Sequence, residues 1–213
     1  MADSLILRPS EIEKESFRII SEALTEHQVA AENINVVKRV IHTTADFDYA
    51  DSLVFSTNVV SDSIATLLSG ASIVTDTKMG LSGINRAALA QTGSTAHCFI
   101  DEPDVLTAAT KAGTTRAQAA VDYAVSVLPA PIIFFVGNAP TALLRLHQLV
   151  TSGACFPALV VGVPVGFVNV IESKELILEL DVPYIVARGR KGGSNVAAAI
   201  ANALIYQAVG RSL

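Results

Sequence analysis

The chain has 213 residues, a formal net charge of −5 and a hydrophobic fraction of 51%. This length suits one α/β domain, and the apolar content is high enough to bury both faces of a sheet. The acidic balance, with a sequence pI of about 5.3, argues against the broad positive surface that nucleic acids or anionic membranes require. Because no apolar run is long enough to cross a bilayer and the N-terminus lacks a signal-peptide pattern, we expect a soluble, cytoplasmic protein.

The N-terminal half is predicted to be mainly helical. Ser10 and Glu13 fit a capping box that opens a helix ending near Leu24. Apolar periodicity predicts a second helix over residues 36–41, followed by a loop over 43–49. Further along, we expect a helix over residues 61–69, a strand over 72–75, a loop over 76–86 and a strand over 97–100.

The C-terminal part follows a repeated strand, loop and helix pattern. A long helix opens at residues 114–116, and then apolar runs at 132–136, 158–161 and 184–187 each stop at a short loop before a helical segment. Buried parallel strands have such near-continuous apolar runs. We therefore predict a single α/β domain over residues 1–213, with a helical N-terminal segment and a mainly parallel sheet of about five strands flanked by helices.

The loop after the third run is the first candidate for a ligand site. Ligands of parallel sheets bind outside the carboxyl ends of the strands. This loop, residues 188–195, places Arg188, Arg190 and Lys191 beside three glycines. A local cationic pocket on an acidic protein suits a small polyanion.

Several common chemistries do not fit. The loop has the ingredients of a phosphate-binding P-loop in the wrong order, and no dinucleotide-binding fingerprint or Gly-x-Ser-x-Gly elbow is present. Cys98 and Cys155 are distant in sequence and lie among apolar neighbours. We therefore expect two buried free thiols, and neither a disulfide nor a metal site.

One histidine differs from the other three. His27, His97 and His147 occupy positions typical of structural histidines. His42 closes an apolar helix and enters a loop of hydroxyls and carboxylates that can orient an imidazole. Its spacing alone leaves a structural and a catalytic role equally open.

Five segments, in order, resemble the precorrin-8X methylmutase family, which includes cobalt-precorrin-8 methylmutase. They are VIHTTADFD (40–48), TDTKM (75–79), FVGNAPTAL (135–143), VGVPVGFV (161–168) and RGRKGGS (188–194). The resemblance runs from about Arg8 to Leu204. It implies an α/β homodimer of cobalamin biosynthesis that moves a methyl group from C-11 to C-12 of a corrinoid precursor, giving hydrogenobyrinate or its cobalt counterpart.

The resemblance also implies roles for individual residues. The migrating methyl group is already on the macrocycle, so the implied reaction needs no methyl donor, cofactor or protein-bound metal. His42 matches the family's catalytic histidine, which we interpret as a general acid in an acid-assisted [1,5] shift. The acetate and propionate rim of the substrate is expected to bind Arg116, Asn138, Arg188, Arg190, Lys191 and, more weakly, Arg39.

Two other functions remain open at this point. One is a tetrapyrrole carrier that has the same pocket but no catalysis, and the other is an unrelated α/β enzyme that acts on a small carboxylate or phosphate. The sequence also leaves open whether the substrate contains cobalt, because that difference lies at the centre of the macrocycle.

Overall fold

The computed structural model describes residues 8–211 of the chain. Its first helix, α1 (Pro9–Ala23), has Arg8 as its N-cap residue and proline in its first turn, with no side-chain cap. The predicted capping box is therefore wrong, because Ser10 already lies inside the helix. Proline suits this position since its missing N–H would have no partner there.

The remaining N-terminal half consists of helices and short strands. Two 3-10 turns, Leu24–Glu26 and Ala31–Asn33, precede the next helix. The elements are α2 (Ile34–Thr44), α3 (Tyr49–Ser52), β1 (Leu53–Phe55), α4 (Val59–Leu68), β2 (Ser72–Thr75), α5 (Lys78–Gly83), α6 (Arg86–Thr92), β3 (Thr95–His97) and α7 (Pro103–Ala112).

The second half contains the repeated strand and helix units that the sequence predicted. They are α8 (Arg116–Val127), β4 (Ile132–Val136), α9 (Pro140–Thr151), β5 (Leu159–Gly162), α10 (Val170–Leu178), β6 (Tyr184–Ala187) and α11 (Ser194–Ala208). The boundaries of β4 and β6 are those expected, and β5 begins and ends one residue later than expected.

One mostly parallel sheet of six strands, in the order β1-β6-β5-β4-β2-β3, organises the domain. The α/β fold class is confirmed, and the strand count of about five was slightly low. The additional strand is β1, a three-residue edge strand that pairs antiparallel with β6. Three residues are too few to show a strand periodicity, so this strand left no clear sequence signal.

Helices cover both faces of the sheet, which explains the continuous apolar runs. In β4 all five residues are buried. Ile133 packs in the core that includes Val40 of α2 and Ile200 of α11. Its neighbour Phe134 packs in a second core with Leu146 of α9. Successive side chains of a strand point to opposite faces, so both faces of this strand need apolar residues.

Two predicted segments differ from the structure. The expected loop over residues 76–86 contains helix α5 and the first residue of α6, and the strand expected over 97–100 is Thr95–His97. Gly80 and Gly83 lowered the helical signal of α5, although Thr77 caps this helix by accepting a hydrogen bond from the N–H of Gly80.

Both cysteines are free, with Cys98 half-buried and Cys155 buried. Within residues 8–211, no helix has both the length and the apolar character that crossing a bilayer requires.

The strand order places several loops at one edge of the sheet. Strands β2, β4, β5 and β6 are parallel, so the segments that follow them lie on the same side. Leu53, the first residue of β1, pairs with Ala187, the last residue of β6. The segment that connects α2 to β1 therefore also reaches this side, which we call the carboxyl edge.

Candidate active site

The cationic loop after β6 contacts, through Lys191, the acidic loop that follows α2 and contains Asp46 and Asp48. Its ammonium donates hydrogen bonds to Asp46 Oδ2 and Asp48 Oδ2, both at 2.6 Å. These bonds raise the pKa of Lys191 and lower that of Asp46. The acidic loop and the cationic loop, which are far apart in sequence, are thus joined at the carboxyl edge. The acidic loop follows the helix that carries His42.

His42 lies in the last turn of α2 and is exposed to solvent. One face of its ring stacks on Phe17 of α1, with ring centroids 5.0 Å apart and an interplanar angle of 13°. Partial burial lowers the pKa of His42, the charge of Arg39 lowers it further, and Glu13 opposes the shift. The imidazole is therefore oriented by packing, reachable from solvent and biased toward its neutral form when no ligand is present.

Arg39 lies one helical turn before His42. Its guanidinium is held between the rings of Phe17 and Tyr206, 5.0 and 5.2 Å from their centroids, and Nη1 donates to Glu13 Oε1 at 3.3 Å. Its Nε and Nη2 groups are buried without a hydrogen-bond partner in the described part of the chain. A cavity of about 260 Å³ beside it is lined by Thr43, Gly83, Asn195, Ala198, Ala199 and Asn202. Both donors are closed off from solvent, so the guanidinium must turn toward this cavity before an anion there can accept from them.

Asp76 fixes the loop between β4 and α9. Its carboxylate accepts hydrogen bonds from the backbone N–H groups of Gly137, Asn138 and Ala139 at 2.9, 2.7 and 2.7 Å. Burial raises the pKa of Asp76, and the three N–H bonds oppose that shift. These N–H groups are therefore occupied by the protein's own carboxylate, and it is the exposed side chain of Asn138 that remains for a ligand.

Arg116 and Asn138 line one cleft of about 460 Å³ at the carboxyl edge. Arg116 is the first residue of α8, whose N-terminus has a capping box made by Thr115 and Gln118. Lys78, which also lines the cleft, forms an ion pair with Asp101. The structure thus brings together two of the residues predicted to bind the substrate, in a pocket that has polar and cationic walls.

The three cations of the final loop have different surroundings. Lys191 is held by two carboxylates, as described above, and Arg188 Nε lies 3.3 Å from Glu175 Oε1. Arg190 is exposed and forms no ion pair with any residue between 8 and 211. Of the three, Arg190 is therefore the most available to an incoming carboxylate.

Two glycines allow the loops of the carboxyl edge to approach each other. A Cβ atom on Gly137 would lie 2.7 to 2.8 Å from backbone atoms of Gly193 and Ser194. Gly192 has φ +158°, and a Cβ there would lie 2.1 Å from the carbonyl oxygen of Val163. Larger residues at these positions would force the loops after β4, β5 and β6 apart.

Three features of the site were missed from sequence. They are the stacking of Phe17 on His42, the two carboxylates that hold Lys191, and Lys174, a buried lysine of α10 that contacts the final loop. Only Lys174 had a usable signal: it shares a helical face with Val170 and Ile177, which are both buried.

Comparisons with known proteins identify the family of this chain. The family model described as precorrin-8X methylmutase matches residues 11–207. A cobalt-precorrin-8 methylmutase of Salmonella typhimurium is 47% identical, covering 94% of this chain and 96% of that protein. A precorrin-8X methylmutase of Pseudomonas aeruginosa is 37% identical, with coverages of 91% and 93%.

A solved structure gives the same result at the level of the fold. The crystal structure of a precorrin-8X methylmutase from Thermus thermophilus superposes with a TM-score of 0.86 at 40% identity, covering 95% of this chain and 99% of that one. Sequence and fold agree over nearly the whole length, and the chain belongs to the precorrin-8X methylmutase family.

Proposed function

We propose that this methylmutase moves a methyl group from C-11 to C-12 of precorrin-8X or cobalt-precorrin-8, giving hydrogenobyrinate or cobyrinate in cobalamin biosynthesis. The observation that carries the proposal is the family match over residues 11–207. The carboxyl edge supports it, because Lys191 bonds there to Asp46, in the loop that follows the helix of His42. Arg116 and Asn138 line a cleft at the same edge.

The proposed reaction is an isomerisation within one molecule. The bond from the methyl group to C-11 breaks while its bond to C-12 forms, and a suprafacial [1,5] shift of this kind is thermally allowed. Substrate and product are isomers, so a proton given to the macrocycle must be matched by one that the macrocycle releases. The protein then has two tasks, which are to hold the ring in a reactive shape and to transfer protons.

His42 is the proposed general acid. To act as the acid, His42 must be in its protonated imidazolium form before the reaction, yet burial and Arg39 lower its pKa in the unliganded protein. Carboxylates of the bound substrate would raise this pKa, because nearby negative charge favours imidazolium. In this proposal substrate binding itself prepares the acid, while stacking on Phe17 holds the ring in place.

The rim carboxylates of the substrate are proposed to bind the six residues predicted from sequence. Arg190 and Arg116 form no ion pair within residues 8–211, and Arg39 has two buried donors without partners there. Arg188 and Lys191 would exchange protein carboxylates for those of the substrate. Asn138 would add a neutral hydrogen bond in the cleft that it shares with Arg116.

Incubation with precorrin-8X and with cobalt-precorrin-8, followed by absorbance spectroscopy, tests the proposal and identifies the substrate. Conversion of either compound supports the methylmutase. A bound but unchanged spectrum with both compounds would instead support a tetrapyrrole carrier. Absence of binding would support an unrelated enzyme of small carboxylates.

The proposal includes a homodimer located in the cytoplasm, as the family resemblance implies. Exposed apolar side chains in the loop after β5 support an association surface, with Phe167 86% and Val168 77% exposed. Light scattering coupled to gel filtration should give twice the 22.3 kDa chain mass, and a monomer at micromolar concentration would contradict the dimer. Cell fractionation tests the location.

A further inference from the structure

Lys174 is a fully buried lysine that the proposed chemistry does not use. It lies in the middle of α10, with 0% of its surface exposed. Its ammonium donates hydrogen bonds to the backbone carbonyls of Gly189 and Lys191, both at 2.8 Å. The side chain therefore reaches from the helix to the underside of the cationic loop.

The surroundings of this ammonium are unusual because its observed partners are neutral carbonyls. Lys174 forms no ion pair with an acidic side chain within residues 8–211, and the adjacent Glu175 pairs with Arg188 instead. Burial lowers the pKa of Lys174 to about 8. A buried charge without a counter-ion is costly, and well-packed apolar residues often replace such groups without loss of stability. Stability alone therefore does not account for a lysine at this position.

The two carbonyls that Lys174 binds lie on either side of Arg190 in the chain. When both carbonyls are held toward the helix, the backbone on each side of Arg190 is fixed while the arginine itself is exposed. Other backbone bonds also hold the loop: the Arg188 N–H donates to Ser52 and the Gly193 N–H to Val163, each at 2.8 Å, and the Gly166 N–H donates to the Arg190 carbonyl at 3.2 Å. Within residues 8–211, Lys174 is the only side chain that donates to carbonyls of this loop, and its charge adds to the positive potential there.

We propose that Lys174 is a positioning residue that holds residues 188–193 in the conformation that binds the carboxylates of the substrate. The proposal rests on the proposed function for the identity of the ligand. It does not rest on it for the loop conformation, which can be measured without substrate.

The test compares Lys174→Met, which keeps length and apolar packing but removes the donors, with Lys174→Gln, which keeps two N–H donors without the charge. Lys111→Met is the matched control, because Lys111 is an exposed lysine of α7 remote from the loop. Each variant is examined by hydrogen exchange of residues 188–193, by thermal melting, and by KM and kcat.

For Lys174→Met we expect faster exchange confined to residues 188–193 and a KM raised by about tenfold or more, with kcat changed by less than about threefold. The melting temperature should stay close to that of the wild type, because the apolar packing of methionine offsets the bonds that the two carbonyls lose. Lys174→Gln should fall between this variant and the wild type, and it carries the same test if the methionine variant does not fold. Lys111→Met should match the wild type throughout.

Two outcomes overturn the proposal. Wild-type exchange and KM in both Lys174 variants would show that the loop does not need this support. Faster exchange throughout β4 and β5, with a lower melting temperature, would show a general packing role instead. If the wild type itself converts neither corrinoid, the proposed function fails, while loop exchange still decides whether Lys174 positions residues 188–193.

Discussion

Gly137→Ala is expected to disturb the site by separating two loops. The added Cβ would lie 2.7 Å from Ser194 Cα and 2.8 Å from both the Gly193 carbonyl oxygen and the Ser194 nitrogen, whereas ordinary contacts begin near 3.4 Å. All three atoms belong to the backbone, so no flexible side chain can move aside. The start of α11 must therefore shift by about 0.7 Å relative to the end of β4, which is a typical overpacking perturbation.

Overpacking of this kind typically costs about 1–3 kcal/mol. For a domain of this size, each kcal/mol lowers the melting temperature by about 2–4 °C, so a decrease of about 2–12 °C is expected. Because Asn138 follows the altered residue and the final loop precedes Ser194, KM should also rise.

Thermal melting and steady-state kinetics check this expectation, with Gly162→Ala as the matched control. A Cβ on Gly162 would first meet side-chain methyl groups of Leu143 and Val186 at 3.3 to 3.5 Å, which can adjust. The control should therefore melt closer to the wild type. A Gly137→Ala protein with wild-type melting temperature and KM would refute the reasoning.

Three further predictions concern the site. His42→Gln should lower kcat by about 10²–10⁴-fold while product affinity changes little. In the wild type, kcat/KM should fall as pH rises through a pKa below 6.5, because His42 must be protonated in the free enzyme and its pKa is lowered. A kcat/KM that increases over this range would contradict the acid role. Asp76→Ala leaves three backbone N–H groups without their acceptor, so it should lower the melting temperature by several degrees and raise KM. The control Asp122→Ala removes an exposed partner of Arg145 and should change the free energy of unfolding by less than about 1 kcal/mol. Equal melting temperatures of the two variants would contradict the role of Asp76. Asp48→Asn removes one carboxylate that competes for Lys191, so it should lower KM or the product dissociation constant. Fluorescence or absorbance titration with product measures this affinity. Weaker product binding would show instead that the ion pair helps to build the site.

The predictable part of the fold is the part in which local pattern and tertiary environment coincide. Strands β4 and β6 are buried on both faces, so their apolar runs matched the structure to the residue. Strand β1 has three residues at an edge and pairs antiparallel with a strand far along the chain. Its position depends on that partner, which no local pattern reveals.

The candidate site shows the same division. Sequence alone indicated which residue types gather at the carboxyl edge, because parallel strands bring the loops that follow them to one side. It did not indicate which charges pair with each other. Lys191 and Asp46 are separated by 145 positions, and Lys174 reaches the loop only because α10 packs beneath it.

The sequence by itself determined the fold class, the buried strands and the position of glycines and cations in the loops after the strands. These features follow from hydrophobic burial and backbone geometry within short segments. Only the tertiary structure decided the electrostatic state of the site. Three properties depend on distances between elements that are remote in the chain. They are the protonation state of His42, the availability of Arg190 to a ligand and the support that Lys174 gives to its loop. Coulombic and hydrogen-bond energies change steeply over a few ångströms, so the folded arrangement decides them.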